Sequence, residues 1–328
     1  MSRRVAGGVA LVALLALVPF VVRRDDVLNF LVLTLLTITL AQSWNIVGGY
    51  AGQVNLGHAA FFGLGALVTR TLWIAGTPVL AAMIAGAAVA VAFALVVGGA
   101  AFRLRGAYFA IGTLALGEIL RITVNNTLPE ISTLPMTTIA TYRLATRYWL
   151  ALGLAALAVT AVAWLASSRL GLGLQAIRED EEAAESTGVG VLRLKLLSLV
   201  LSTALAGLAG GAIAYYHISY YPSHPFSPHW TFDAVLVTFI GGVGTLHGPI
   251  LGAVCYVLLK EYLAIRWVDF HLLIFGALFI AIVLLLPGGL VEAGATLRRL
   301  TNMGGLASGP PSPPTLGAPR HSRGAPRR

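Results

Sequence analysis

The sequence predicts an all-α, polytopic membrane helix bundle, and three observations carry that prediction. Of its 328 residues, 57% are hydrophobic and only 11% are charged, whereas soluble domains carry about 25% charged residues. A chain so poor in charge cannot cover a water-facing surface. Apolar runs of spanning length also recur along it, a crossing helix needing roughly 20 mostly apolar residues. Finally, runs such as Val79–Val97 and Ala151–Leu165 are apolar throughout and lack the alternation of a barrel strand. Only helices and closed barrels pair every backbone group inside lipid, so helices remain.

The elements follow in chain order. Met1–Arg4 is basic and Ala6–Val22 is apolar, a pattern shared by signal peptides and first spans. No small-residue cleavage site precedes Arg23-Arg24-Asp25-Asp26, and a new apolar run starts at Val27, so the segment reads as a first span. Further spans are predicted at about 27–47, 53–75, 78–99, 106–124, 148–167, 194–216, 232–247, 249–265 and 271–287. That makes about 10 spans, with 8–10 as the range, because glycines break the runs near 53–65 and 241–252 and would suit re-entrant segments. Residues 1–300 thus form one transmembrane domain, with a charged loop at about 168–193. Thr301–Arg328 is rich in Gly, Pro, Ser and Arg and is expected to be a disordered basic tail, since it cannot bury a core.

The formal net charge is +9, from 22 Lys and Arg against 13 Asp and Glu. Basic residues of membrane proteins gather on cytoplasmic loops, and no aromatics interleave with the terminal arginines, so no nucleic-acid partner is expected. Placing the N-terminus in the cytoplasm puts the larger share of the 22 basic residues inside. An even number of spans returns the C-terminus to the same side. The loop at 168–193 then also lies in the cytoplasm. The single Cys255 excludes an internal disulfide and a cysteine metal cage.

That loop holds Glu179, Asp180, Glu181, Glu182 and Glu185 between long apolar segments. Leu174, Ile177 and Ala184, with Ala176 nearby, share one helical face at spacings of three and four. Arg178 and Glu182 are placed to pair along the helix, and Gly188 suits a C-cap. The expected product is one amphipathic helix of about three turns. From the pattern alone, a solvated loop helix and a docking helix stand as equal readings.

Gln53, Asn55 and His58 interrupt another apolar run. Polar groups at membrane depth face a pathway or bond to a neighbouring helix, while Gly57 and Gly63 let helices approach closely. No second ligand stands at helical spacing from His58. Glu118 has Arg121 three residues on, which predicts an ion pair and leaves a proton relay as the other reading. Asp233 is expected near a helix N-terminus, where negative charge is favoured. In Gly242-Val-Gly244-Thr245-Leu-His247-Gly248-Pro249, Pro249 is expected to stop the preceding helix, making either a fixed turn or a hinge.

Two patterns are decoys. Gly171-Leu-Gly173-Leu-Gln-Ala176 matches a dinucleotide fingerprint but follows a membrane-length run, not a strand. A phosphate-binding loop needs glycine before lysine, and Lys195 and Lys260 both follow leucine. No HExxH, GxSxG, paired carboxylates or Ser/Lys arrangement occurs in the membrane segments, so the chain reads as a transport subunit without its own ATPase motif, not as an enzyme.

Four motifs resemble one family. They are the loop with Gly188-Val-Gly190, Lys195 and Ser202-Thr-Ala-Leu-Ala-Gly207-Leu-Ala-Gly210-Gly211; Asn45-Ile-Val-Gly-Gly49-Tyr50-Ala-Gly52-Gln53-Val-Asn55-Leu-Gly57-His58 through Phe61-Phe62-Gly63-Leu-Gly65; Arg103-Leu-Arg105-Gly106-Ala-Tyr108-Phe109; and Ile240-Gly241-Gly242-Val-Gly244-Thr245-Leu-His247-Gly248-Pro249. Together they cover roughly residues 40–255 and, in their order along the chain, look like the permeases of bacterial branched-chain amino acid ABC importers, most like the Liv M-type subunit.

The resemblance implies an ABC importer permease fold in the bacterial inner membrane. The loop would be the coupling helix, with Leu174, Ile177, Arg178, Glu179, Asp180, Glu181, Ala184 and Gly188 at the ATPase contact. Gln53, Asn55, Gly57, His58, Gly63, Glu118, Gly242 and Gly244 would line the translocation path or pack helices. The implied partners are a second homologous permease, two ABC ATPase subunits and a periplasmic substrate-binding protein. ATP would be bound by those partners and no cofactor by this chain. The implied cargo is branched-chain or related amino acids, with urea, short amides or other small acids as the alternative. An ion- or proton-coupled transporter relaying through Glu118 and His58 is the alternative class.

Overall fold

The computed structural model describes residues 2–266, apart from Arg23, Pro129, Ile131, Pro135 and Thr141, together with isolated positions between 274 and 293. The helices are α1 (Ser2–Ala16), α2 (Val18–Val21), α3 (Asp25–Trp44), α4 (His58–Ile74), α5 (Val79–Ala101), α6 (Ala107–Thr127), α7 (Met136–Ala140), α8 (Leu144–Ser167), α9 (Arg169–Glu179), α10 (Glu181–Ser186), α11 (Val191–Tyr216), α12 (Pro228–Gly241) and α13 (Gly248–Arg266). A π-helical stretch, Asn45–Tyr50, prolongs α3, and a short 3-10 turn, His224–Phe226, precedes α12. The only strands among the described residues, β1 (Ser132–Thr133) and β2 (Ser219–Tyr220), pair antiparallel with Ser132 opposite Tyr220. Among the described residues five helices are long and apolar enough to cross a membrane: α3 with its π extension, α5, α6, α8 and α11. The span expected at 271–287, apart from isolated positions, and the tail expected after 300 lie outside the described residues.

Helices α4, α5 and α11 form the tightest unit, and small residues make it so. A methyl group on Gly65 of α4 would overlap the carbonyl oxygen of Gly207 on α11, and one on Gly210 of α11 would overlap that of Phe62 on α4. On α5, Gly86 faces the Gly65 carbonyl in the same way. Spans lack a hydrophobic drive to associate in lipid, so close backbone approach supplies dispersion contact instead. Helix α3 packs beside this unit and against α8, α12 and α13, burying Val32, Leu36, Leu40 and Trp44.

The α4 helix starts at His58, not near 53 as the apolar run suggested. Gly52 has a positive φ of 68°, and the Asn55 carboxamide oxygen accepts from the Gly57 N–H at 2.9 Å, an Asx turn that competes with helix. Pro249 also does not stop α12. Gly242, at φ 130°, ends that helix, and Pro249 sits in the first turn of α13, where its missing N–H costs nothing. Asp233 lies inside α12 rather than at its start, and its carboxylate accepts from Tyr256 Oη and from Lys260 Nζ of α13.

The two ends of the bundle differ. At one end lies the charged loop, α9 and α10. At the other, the C-terminal carbonyls of α11 are gathered by two buried arginines. Arg70 of α4 donates to the carbonyls of Ala214 (3.1 Å), His217 (3.0 Å) and Ile218 (2.7 Å). Arg147 of α8 donates through Nε to Tyr215 O at 3.1 Å and lies 3.5 Å from the Tyr142 ring centroid. Tyr142 Oη donates to Tyr216 O. Cations belong at a helix C-terminus, where the last carbonyls lack partners.

Candidate functional site

The loop is two helices with an elbow, not the single helix its spacing predicted. Ser168 caps α9, its Oγ accepting from Gly171 N at 3.2 Å. Asp180 then leaves helical geometry at φ −156°, ψ 112°. Its carboxylate accepts from the N–H groups of Glu182 and Ala183, each at 3.0 Å, which caps α10. An aspartate that can satisfy two N-terminal N–H groups starts a helix more readily than it continues one. After α10, Gly188 at φ 88° donates to Glu185 O and Val189 donates to Ala184 O, a Schellman ending.

The elbow sorts the loop residues into two faces. Leu174, Ile177 and Ala184 are buried against Ile46, Tyr50, Ala158, Val162, Leu165, Val191 and Leu205. These three therefore fix the loop to its own bundle and are not open to an outside partner. Complete burial of a leucine or isoleucine stabilises by about 1.5–3 kcal/mol. Glu181 also turns inward and meets Lys195 Nζ of α11 at 2.6 Å, with the lysine only 2% exposed. The outward face carries Leu172 (64% exposed), Gln175, Ala176, Glu179, Asp180, Ala183 and Glu185.

Arg178 does not pair with Glu182, which instead meets Arg105 at 3.1 Å on the surface. Arg178 Nη1 donates to Gly49 O at 2.8 Å. Its stem lies against Gly52, and a methyl group on Gly244 would overlap Nη1. Glycine at 52 and 244 thus makes a notch that admits the guanidinium, while glycine at 49 lets Asn45 and Gly244 close up behind it. Behind it, Asn45 Nδ2 donates to Thr245 O and Asn45 Oδ1 accepts from Gly244 N, both at 2.9 Å. Gln42 Nε2 donates to Leu246 O at 2.8 Å. One chain of bonds therefore runs from α9 to the π stretch below α3 and to the turn between α12 and α13. Asn45 and Gln42 were not singled out from the sequence. The available signal was an amide in an apolar run just ahead of Gly48-Gly49.

The other sequence candidates separate from this node. Gly57 abuts the Thr113 carbonyl and Gly63 the Phe226 ring, so both serve close packing. His58 Nε2 lies 2.8 Å from Ser43 Oγ. Ser43 donates its only proton to Leu40 O at 2.7 Å, so His58 must be the donor in that contact, which leaves Nδ1 as the acceptor. Gln53 is half-buried and bonds to Ala51 O. Glu118 and Arg121 pair on α6, with Arg121 Nε 3.0 and 2.9 Å from the two carboxylate oxygens. Gly242 shapes the α12–α13 turn. His58 and Glu118 are brought to different neighbours, Ser43 and Arg121, and share no bond.

A helical bundle of several membrane-length spans, with a charged two-helix loop bonded into its core, has the architecture of a polytopic permease. The comparisons give the family: residues 27–283 match the family described as branched-chain amino acid transport system / permease component, and the chain belongs to it. Curated relatives include the high-affinity branched-chain amino acid transport system permease protein LivM of Escherichia coli strain K12, 29% identical over 92% of this chain and 77% of that protein. The protein of the same name from Salmonella typhimurium is 29% identical over 89% of this chain and 75% of its own length. A probable branched-chain amino acid transport permease protein LivM of Methanocaldococcus jannaschii is 27% identical over 44% of this chain and 45% of its own. No solved structure matches the chain significantly.

Proposed function

We propose that this chain is the permease subunit of an ABC importer for branched-chain or related amino acids in a bacterial inner membrane. In this reading both termini are cytoplasmic. A second homologous permease, two ATPase subunits and a periplasmic substrate-binding protein complete the assembly, and ATP is bound by the ATPases alone. The observation that carries the reading is the division of labour within the α9–α10 loop. Its inner side is bonded to the bundle through Leu174, Ile177, Glu181 and Arg178. Its outer side presents Leu172, Gln175, Ala176 and Glu179, all exposed.

A rigid loop is needed to convert closure of an ATPase dimer into movement of spans, because a loose one would absorb the motion. Here two caps, a Schellman ending and the ion pair between Glu181 and the buried Lys195 supply that rigidity. Arg178 is the linkage we infer between push and path: displacement of α9 would act on Gly49 and Gly244 together, hence on α3 and on the α12–α13 turn.

The test is charge reversal on the outer face. Glu179→Arg should leave membrane insertion unchanged and lower both transport and substrate-stimulated ATP hydrolysis about tenfold, within the usual coupling range of roughly 1–3 kcal/mol. Cysteine at Gln175 should cross-link to the ATPase. Proton-driven uptake by this chain alone, with no ATPase co-purifying, would refute the reading.

A further inference from the structure

Among the described residues, helix α6 is the least buried of the membrane-length helices and carries a charged pair along its length. It is long and apolar enough to cross a membrane, yet only 22% of its apolar window is buried inside the chain. Phe109, Thr113, Gly117 and Val124 face the bundle. Glu118 and Arg121 lie away from that face, with side chains 36% and 38% exposed. At 1.5 Å per residue, Glu118 stands about 17 Å and Arg121 about 21 Å along a helix of about 31 Å. The pair is therefore near the middle of the span.

Charged residues inside spans face a bundle interior, a cavity or a partner, because hydrocarbon solvates them poorly. Among the described residues each of the two bonds to the other, and that pairing leaves both side chains about a third exposed. The surrounding residues exclude a plain aqueous surface. Ile111 (63% exposed) and Ile122 (48%) flank the pair, and Ala115 and Asn125 are exposed with them. Ile111, Glu118 and Asn125 recur every seven residues, and Ala115 and Ile122 fall four after the first two. That is the repeat of a helix–helix seam, and Ala115 is small enough for close backbone approach. By contrast, the outward face of α5 shows Leu80, Ile84, Leu95 and Val96 with no charge among them, which suits lipid.

We propose that the α6 seam, Ile111–Ala115–Glu118–Ile122–Asn125, is the surface on which the second permease subunit seats, burying the Glu118–Arg121 pair between the two. This rests on the two-permease reading above and identifies which face of this chain it uses. The pair is neutral as a unit, so the apposed helix needs a polar group at that depth and not a charge.

The test places a photoreactive benzophenone side chain at Ala115, or at Ile84 of α5 as control, in membranes containing the complete transporter. Ala115 should yield an adduct with a second permease polypeptide of this family, identified by mass spectrometry, and Ile84 should yield lipid adducts. Lipid adducts alone at Ala115, while permease and ATPase partners still co-purify, would overturn the seam and leave the importer reading intact. Absence of any co-purifying permease would overturn both. As a second measurement, Glu118→Leu with Arg121→Leu should lower the recovery of the permease pair several-fold while the single chain still inserts. Unchanged pair recovery with higher thermal stability would place this face in lipid and refute the proposal.

Discussion

The two ends of the bundle solve opposite problems with the same residue type. At the α11 C-terminus, Arg70 and Arg147 are 2% and 3% exposed and bond to backbone carbonyls among tyrosine and tryptophan rings. At the loop end, Arg178 is exposed except where its guanidinium enters a glycine notch through one carbonyl bond. A buried arginine with several backbone partners fixes a structure, because its removal leaves those acceptors without donors. A surface arginine with one inward bond fixes a relation between parts, and its removal leaves both parts folded. The difference teaches that the C-terminal end of α11 is an anchor and the loop end a joint.

The strongest way to break this contrast is Arg70→Leu. It strips donors from three carbonyls, each costing about 1–3 kcal/mol when buried and unpaired. Thermal unfolding in detergent should show a large loss of stability and reduced yield of folded protein. An unchanged melting temperature would mean that water replaces the guanidinium and that this end is no anchor.

Next comes Arg178→Ala, expected to cost no more than about 1–2 kcal/mol of stability, the scale of one charge-assisted bond partly in water, while transport falls several-fold. Arg178→Lys should restore little of that transport, since a point charge does not reproduce a planar fork between Gly49 and Gly244. Equal losses of stability and transport would erase the distinction between joint and anchor.

The smallest effect is on pH. Burial, then the nearby His224 imidazole and Arg70 guanidinium, hold His217 below the usual imidazole value of 6.5. Above that value both folded and unfolded chains are neutral at this position and its contribution is complete. As pH falls through it, the unfolded chain binds the proton first, so stability declines until folded His217 also protonates. Melting temperature measured from about pH 8 to about pH 5 should drop on the acid side, and His217→Gln should flatten that drop.

The overall plan was legible because composition and span length leave lipid as the only solvent for most of the chain. The helices at 79–101, 107–127 and 191–216 lie close to their apolar runs. The loop's charge and its Gly188 ending were legible for similar reasons, since local chemistry alone dictates them. The elbow was less so: Asp180 reads equally as a helix residue or a cap until its carboxylate is seen on Glu182 N and Ala183 N. The direction of Arg178 was beyond any local pattern, because its acceptor, Gly49, is 129 residues away in the chain. Periodicity did mark Leu174, Ile177 and Ala184 as one face, but it cannot say whether that face meets its own chain or another. The structure answers that they meet their own.

The contacts of Gly65, Gly207, Gly210 and Gly86 have a mechanical consequence. Where main chain touches main chain, no side chain lies between to change rotamer, and sliding would drive atoms into overlap. Helices α4, α5 and α11 therefore travel as one stiff strut whose far end is clasped by Arg70. Whatever shape change the protein undergoes has to be taken up around that strut, in the π stretch at 45–50, the Gly242–Gly248 turn and the helices that carry no such contacts.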